Sequence, residues 1–151
     1  MKRLLKVGAF ALALALVVPM AMLMTGCSGG SSNVTEDGLL GTWEMTSMRI
    51  SVGNQTGPWA SGDDIAVLAY TLELERDTDG ERTFRRVGAF TQSGTWSLDG
   101  QYLVLEFSAQ DIQRHRAEFS NSNNTLTLTR TTPASEFIPV ETTTDERLTR
   151  R

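Results

Sequence analysis

The feature that most constrains this chain is a series of short runs in which apolar and polar residues alternate. From residue 39 onward each run is bounded by Gly, Asn, Asp or Pro, and none shows the 3.6-residue period of an amphipathic helix. Alternation with a period of two predicts strands that each have one apolar face. The predicted strands are residues 39–52, 65–76, 81–91, 94–98, 101–109, 111–120 and 125–132.

The apolar positions within these runs are the predicted core. Residues 125–132 show the alternation most clearly, because Leu126 and Leu128 point one way and threonines the other. The other residues expected on inward faces are Leu68, Tyr70, Leu72, Leu74, Phe84, Phe90, Leu103, Leu105, Phe107, Ala117 and Phe119.

Tight turns are predicted between neighbouring strands. Residues 77–80 (DTDG) and the Asp99-Gly100 pair contain the residue types that hairpin turns require, and residues 121–124 make the next turn. The tail, residues 133–151, is ambiguous: it supplies one last strand around 142–150 or is partly loose.

Seven or eight antiparallel strands with one apolar face each must bury those faces against one another. A sheet of this size does so by closing into a barrel, which also removes its exposed edges. We therefore predict an all-β domain over residues 39–151, a small antiparallel up-and-down barrel. A two-sheet sandwich is the alternative.

The first residues read as an export signal. Residues 1–6 (MKRLLK) are basic, and residues 7–24 carry no charge. Small residues, Thr25 and Gly26, then precede the only cysteine, Cys27. This order of basic, apolar and small residues is typical of a secretory signal peptide, here residues 1–26.

The sequence Leu23-Met24-Thr25-Gly26-Cys27 resembles the lipobox of bacterial lipoproteins. The resemblance implies that Cys27 is lipidated and becomes the new N-terminus, anchored in the cell membrane or the outer membrane. Residues 27–38 are rich in Gly and Ser and are expected to form a flexible tether. An uncleaved transmembrane helix is the alternative interpretation.

The charge distribution limits the partners. The chain has a net charge of −4, and its three basic residues before Cys27 (Lys2, Arg3 and Lys6) are removed with the signal peptide, which leaves an acidic domain. An acidic surface repels phosphate backbones, so no nucleic-acid partner is expected.

Because the chain has one cysteine, no internal disulfide forms, and the stability of the fold depends on its hydrophobic core. We expect a monomer that meets the membrane through its lipid.

Two Gly-x-Trp sequences suggest a family. Gly41-Thr42-Trp43 resembles the Gly-x-Trp motif of lipocalins, and residues 93–100 and 124–129 resemble lipocalin-like domains of bacterial lipoproteins. The resemblance implies an up-and-down barrel in which Trp43 packs across the closed end and a small apolar or amphipathic ligand enters the open end.

Two aromatic residues are the candidate ligand contacts. Trp59 lies on the Gly/Pro-rich loop of residues 53–64, where lipocalins have a lid, and Tyr70 points inward from the second predicted strand. The alternative for Trp59 is a plug folded over the barrel end.

Other polar residues have simpler explanations. The acidic residues around Asp77 lack the spacing of a calcium loop, and His115, the only histidine, is expected on the outward face of a strand. Four arginines either form a basic patch or pair with glutamates across strands. These are Arg85, Arg86, Arg114 and Arg116, with Glu73, Glu75 and Glu118 as the expected partners. No residue set supports catalysis, a metal or a cofactor, so we expect a protein that is not an enzyme.

The leading hypothesis is a membrane-anchored, extracytoplasmic lipocalin-like lipoprotein that binds a small apolar or amphipathic ligand. The alternatives are a scaffold lipoprotein of the cell envelope with a filled barrel and, third, an inhibitor of envelope enzymes.

The interior of the barrel distinguishes the first two hypotheses. An apolar void of at least about 300 Å³ near residues 53–64 would favour binding. An interior filled by aromatic and leucine side chains would count against binding and favour the scaffold. The filling residues would be Tyr70, Leu72, Leu105, Phe107 and Leu128.

Overall fold

The computed structural model describes residues 33–151, so the predicted signal peptide and Cys27 lie outside the described residues. Among these residues almost every element is a strand, and the helical structure is one turn of α-helix and one 3₁₀ turn (Gly62–Ile65). In chain order the elements are α1 (Glu36–Leu39), β1 (Gly41–Val52), β2 (Gln55–Thr56), β3 (Ala60–Ser61), β4 (Thr71–Arg76), β5 (Arg82–Val87), β6 (Thr91–Asp99), β7 (Tyr102–Ser108), β8 (Asp111–Ser120), β9 (Thr125–Thr132) and β10 (Thr142–Arg150).

The eight longer strands form a closed antiparallel barrel. From β4 to β10 each strand pairs with the next in sequence, β4 also pairs with β1, and β10 returns to pair with β1 along nearly its whole length. This is the predicted up-and-down barrel, with eight strands, and the sandwich alternative is wrong. The ambiguous tail supplies the closing strand, β10.

Strand β1 changes partners halfway along one edge. Residues Gly41 to Glu44 pair with β4, whereas Ser47 to Val52 pair with the short strands β2 and β3. The chain between β1 and β4 therefore folds back along β1 instead of crossing directly.

The up-and-down path gives the barrel two ends with different connections. We call the end that carries α1 and the turns around residues 77–81, 100–101 and 121–124 the closed end. The open end carries the connections of residues 53–70, 88–90, 109–110 and 133–141.

The closed end is covered by the segment before β1. The Oγ1 of Thr35 accepts a hydrogen bond from the Gly38 N–H at 3.1 Å and caps α1. A Cβ atom at Gly38 would lie 2.8 Å from the Phe119 ring, so only glycine lets α1 pack this closely. Residues 34–38, expected in the tether, are thus packed onto the barrel, since Val34 and Leu39 are both buried.

Trp43 lies at this end, as the family resemblance implies. Its Nε1 donates a 2.8 Å hydrogen bond to the Leu39 carbonyl, its ring stacks on Phe119, and the Arg150 guanidinium lies over the ring. The indole is fully buried with its one polar atom satisfied, which is the arrangement that makes a large aromatic stabilising in a core.

The predicted inward faces are mostly confirmed. The buried apolar residues of the barrel walls include Leu72, Leu74, Phe84, Leu103, Leu105, Ala117, Phe119, Leu126 and Leu128. Two assignments are wrong. Leu68 and Phe90 are exposed on open-end loops, because β4 begins only at Thr71 and β5 ends at Val87.

The barrel is complete within the described residues. Every strand finds its partners between residues 41 and 150, and the core cluster spans Val34 to Leu148, so the barrel closes without residues 1–32. Within residues 33–151, no helix is long and apolar enough to cross a bilayer.

Candidate functional site

A cluster of polar side chains lies inside the barrel toward the open end. Each member occupies the inward position of its strand or of the loop just before it, and all but Gln113 lie two residues from a buried apolar neighbour. We call it the inner polar cluster, and its members are Tyr70, Arg86, Gln113, His115, Arg130 and Glu146.

Tyr70, Arg86 and Glu146 form one half of the cluster. The Tyr70 hydroxyl donates to Glu146 Oε2 at 2.5 Å, a short distance typical of a hydrogen bond to a charged acceptor. The Arg86 guanidinium lies 3.7 Å from the centre of the Tyr70 ring, and its Nη2 is 4.0 Å from Glu146 Oε1. Burial, followed by the charge of Glu146, raises the pKa of the Tyr70 hydroxyl well above its usual value, so Tyr70 remains a donor.

His115 corrects the prediction that it faces solvent. It is only 3% exposed and points into the barrel on the same face of β8 as Ala117 and Phe119. The prediction was wrong because flanking Arg114 and Arg116 suggested a solvated segment, whereas the alternation from Ala117 places residue 115 inside.

The ring nitrogens of His115 have no hydrogen-bond partner among residues 33–151, and neither does the buried Oε1 of Gln113, two residues away. A buried polar group without a partner destabilises a fold by about 1–3 kcal/mol, and native structures keep few of them. Burial, and then the charges of Arg130 and Arg86, lower the pKa of His115 to about 4, so the imidazole is neutral at pH 7.

Arg130 completes the cluster. It points inward from β9, since Leu126 and Leu128 alternate with it on the buried face, and it is half-buried. Its charge acts on both Tyr70 and His115. In the part of the chain that the structure describes, its guanidinium has no hydrogen bond or ion pair.

A pocket at the open end leads to this cluster. It has a volume of about 290 Å³ and includes Tyr70 and Arg86 in its wall. The remaining lining is mostly apolar and comes from two open-end loops and β6: Val67, Leu68, Ala69, Gly88, Ala89, Phe90 and Gln92.

A second pocket, of about 310 Å³, lies between β1 and the chain that folds back along it. Met48 and Ile50 line it from β1, and Pro58 and Ile65 line it from the loop side. Leu68 lines both pockets, and we call the two together the mouth.

Below the inner polar cluster the barrel is filled with side chains. Leu72, Leu105 and Leu128 are fully or almost fully buried there, and Phe107 is half-buried with its ring edge-on to Phe84. Space for a ligand therefore lies at the mouth, near the 53–64 loop, and not along the barrel axis.

The structure separates the two predicted ligand contacts. Tyr70 lies in the inner polar cluster and lines the mouth. Trp59 lies against the outer wall, where the guanidinium of Arg147 is 3.8 Å and that of Arg49 4.8 Å from its ring centre. It is neither in the mouth pocket nor a plug over the barrel end.

The outer wall beneath Trp59 is held by a buried carboxylate. Asp145 accepts from Arg49 Nε and from Thr129 Oγ1, both at 2.6 Å. Through these contacts, Trp59, Arg49 and Arg147 form a structural cluster. The cluster holds the loop that contains Trp59 against strands β1 and β10.

Of the four arginines discussed above, three point outward and have carboxylate partners. Arg85 pairs with Glu73 at 3.4 Å, as predicted, Arg114 with Asp99 at 2.9 Å and Arg116 with Glu118 at 2.7 Å. Arg86 instead points inward, so the four do not form one basic patch.

Sequence reasoning missed most of the inner polar cluster, although a signal was present. Arg86 follows buried Phe84 by two residues, Arg130 follows Leu128 by two, and Glu146 precedes Leu148 by two. Strict counting by twos from the apolar residues would have placed all three inside.

No family model matches the sequence, and the search of curated proteins found no match. Among solved structures, the chain is similar to a crystal structure of a protein of unknown function from the DUF3598 family of Nostoc punctiforme PCC 73102. The two share 13% identity with a TM-score of 0.44, over 79% of this chain and 50% of that one. The chain thus spans about half the length of that protein.

Proposed function

We propose that this protein is a lipid-anchored, non-catalytic, lipocalin-like barrel that faces outside the cytoplasm and binds a small amphipathic molecule at its open end. The observation that carries the proposal is the largely apolar mouth whose wall includes Tyr70 and Arg86 of the inner polar cluster. The apolar tail of an amphipathic ligand would contact the mouth, and its polar head would contact the inner polar cluster. A concave site that combines an apolar wall with a few polar groups is typical of small-molecule binding.

The position of the anchor supports this arrangement. Only residues 28–35 separate Cys27 from α1, which covers the closed end. A membrane attached at Cys27 would therefore lie near the closed end and leave the open end free to exchange ligand.

A binding assay with a neutral apolar dye tests the proposal. The chain from Ser28 onward, which contains the whole barrel, is titrated with N-phenyl-1-naphthylamine, whose fluorescence rises in apolar surroundings. We expect saturable binding that Leu68→Ser and Phe90→Ser each weaken at least threefold, because both side chains line the mouth.

Tyr102→Ser is the matched control, since Tyr102 is also an exposed aromatic but lies at the closed end. It should leave dye binding unchanged. Absence of saturable binding, or equal weakening by Tyr102→Ser, would contradict the proposal.

Two observations favour a scaffold as the second candidate. The first is the barrel interior, which Leu72, Leu105 and Leu128 fill below the inner polar cluster, and the second is an exposed apolar loop. Phe137 is 92% exposed, and Ile138 and Val140 lie beside it on the same open-end loop, where they would suit contact with another envelope protein. A chain that binds no dye but retains these exposed residues would support the scaffold.

A further inference from the structure

We propose that the head of the ligand is a monoanion, a carboxylate at the end of a single apolar chain, and that Arg130, Arg86 and His115 receive it inside the barrel mouth. This inference rests on the proposed function, because it concerns the same open-end site.

The charges of the inner polar cluster point to an anion. Arg86 and Arg130 are cationic, Glu146 is the one carboxylate of the cluster, and His115 is neutral at pH 7. The cluster therefore has one surplus positive charge in a half-buried position, where charge is poorly solvated. A bound carboxylate neutralises it, whereas a cationic head would add repulsion.

Arg130 stands apart from every other arginine of the described residues. The outward arginines Arg85, Arg114 and Arg116 each have a carboxylate within 3.4 Å, and Arg86 has both Tyr70 and Glu146. Arg130 lies among inward side chains and, throughout residues 33–151, its guanidinium has no hydrogen bond, ion pair or ring contact. A guanidinium fork presented in this way matches the two oxygens of a carboxylate.

His115 provides an independent reason to expect a ligand. Only 3% of its surface is exposed, and neither ring nitrogen has a hydrogen-bond partner among the residues described. A neutral imidazole offers one N–H donor, which a carboxylate oxygen accepts. The same ligand would thus satisfy a donor of His115 and the free guanidinium of Arg130.

The mouth sets the shape of the rest of the ligand. Its walls are mostly apolar, with Leu68 and Phe90 in one pocket and Met48 and Ile50 in the other. Volumes of about 290 and 310 Å³ suit one medium-length alkyl chain. The barrel interior below is filled, so the chain extends outward from the head.

Competition against the neutral dye at pH 7 tests the head group with three ten-carbon probes: decanoate, decanol and decyltrimethylammonium. We expect decanoate to compete at least tenfold more strongly than decanol, and the cationic probe to be the weakest. Arg130→Met should reduce the advantage of decanoate over decanol to less than threefold.

Arg116→Met is the matched control, because Arg116 lies next to His115 in sequence but faces outward. It should preserve the preference for decanoate. If the dye binds but decanoate competes no better than decanol, the anionic head is overturned and the proposed function stands. If neither the dye nor any probe binds, the proposed function fails.

The single histidine gives a second readout that does not depend on affinity. In a chain with ¹⁵N-labelled histidine, the ring-nitrogen signals come from His115 alone. Decanoate should shift them, and decanol at the same occupancy should not. Unmoved signals on saturation with decanoate would show that the head lies elsewhere and would overturn the assignment.

Discussion

The two ends of this barrel are built from the same strands but differ in nearly every other respect. At the closed end the turns are polar, α1 covers the core, and Trp43 is fully buried with its indole N–H satisfied. At the open end the loops carry exposed apolar side chains. Apart from Tyr102, all the exposed large apolar side chains of residues 33–151 lie there: Ile50, Val52, Val67, Leu68, Phe90, Ile112, Phe137, Ile138 and Val140.

The polar groups follow the opposite pattern. Inside the closed end the interior is apolar, whereas inside the open end it holds a neutral histidine, two arginines and a glutamate. Folding alone favours apolar interiors and polar exteriors. The closed end obeys that rule and accounts for the stability of the barrel, and the open end reverses it, which is characteristic of a binding site.

The largest expected effect is at the closed end. Trp43→Ala should lower the free energy of unfolding by about 3–5 kcal/mol, because it leaves a large cavity beneath α1 and removes the stack on Phe119. Urea unfolding measures the change. Trp59→Ala, on the outer wall, should have less than half that effect, and an equal or larger effect would contradict the assignment of Trp43 as the principal closed-end contact.

The second-largest expected effect is a pH dependence of the free energy of unfolding, caused by His115 inside the open end. In the folded protein His115 has a pKa of about 4, against 6.5 when exposed, so the unfolded chain binds the proton more readily. The free energy of unfolding should therefore fall as pH falls from about 6.5 to about 4, by about 3 kcal/mol from this group alone. The charged and titratable groups near the imidazole are Arg86 and Arg130, with Glu146 and Tyr70 in the same cluster.

His115→Leu isolates this contribution, since carboxylates elsewhere also titrate in that range. The variant should unfold less readily than the wild type at pH 4.5 and should show a shallower dependence on pH. Parallel pH profiles for the two proteins would show that His115 is not buried in the neutral form.

A smaller effect is expected from Tyr70→Phe. The substitution removes the 2.5 Å hydrogen bond to Glu146 and leaves a carboxylate that is only 13% exposed with the more distant Arg86. We expect a loss of about 1–3 kcal/mol in urea unfolding at pH 7. Adding Glu146→Gln should make the two changes non-additive, and strict additivity would show that these side chains do not interact.

The smallest effect is expected at the rim. Phe137→Ser should change the free energy of unfolding by less than about 0.5 kcal/mol, because the side chain is almost fully exposed and contributes little to packing. A loss above about 1 kcal/mol would show that the loop of residues 133–141 packs against the barrel.

The sequence predicted the strands best where alternation was strict. Strands β8 and β9 begin and end where the pattern predicted, and Leu126 and Leu128 are buried as expected. Strand β10 is the last strand that the sequence left as one of two alternatives for the tail. The prediction failed at Leu68 and Phe90, where an apolar residue continues the pattern beyond the end of its strand. Alternation describes a face, and it does not show where hydrogen-bonded pairing stops.

The candidate site was predicted in part for a related reason. Tyr70 was placed inside because it is aromatic, whereas Arg86, Arg130 and His115 were not, because charged and imidazole side chains are usually exposed. Trp59 was assigned to the mouth from its loop, but that loop folds back so that its ring packs on Arg49 and Arg147.

The amino-acid sequence by itself determined the all-β character, the succession of strands and most of the apolar face that the barrel encloses. These follow from local rules, since a period of two and a glycine with positive φ at a turn such as Gly100 act within a few residues. Only the tertiary structure decided which polar side chains meet inside the open end. Arg86, His115, Arg130 and Glu146 lie on four different strands, and it is the closure of β10 onto β1 that brings those strands around one interior.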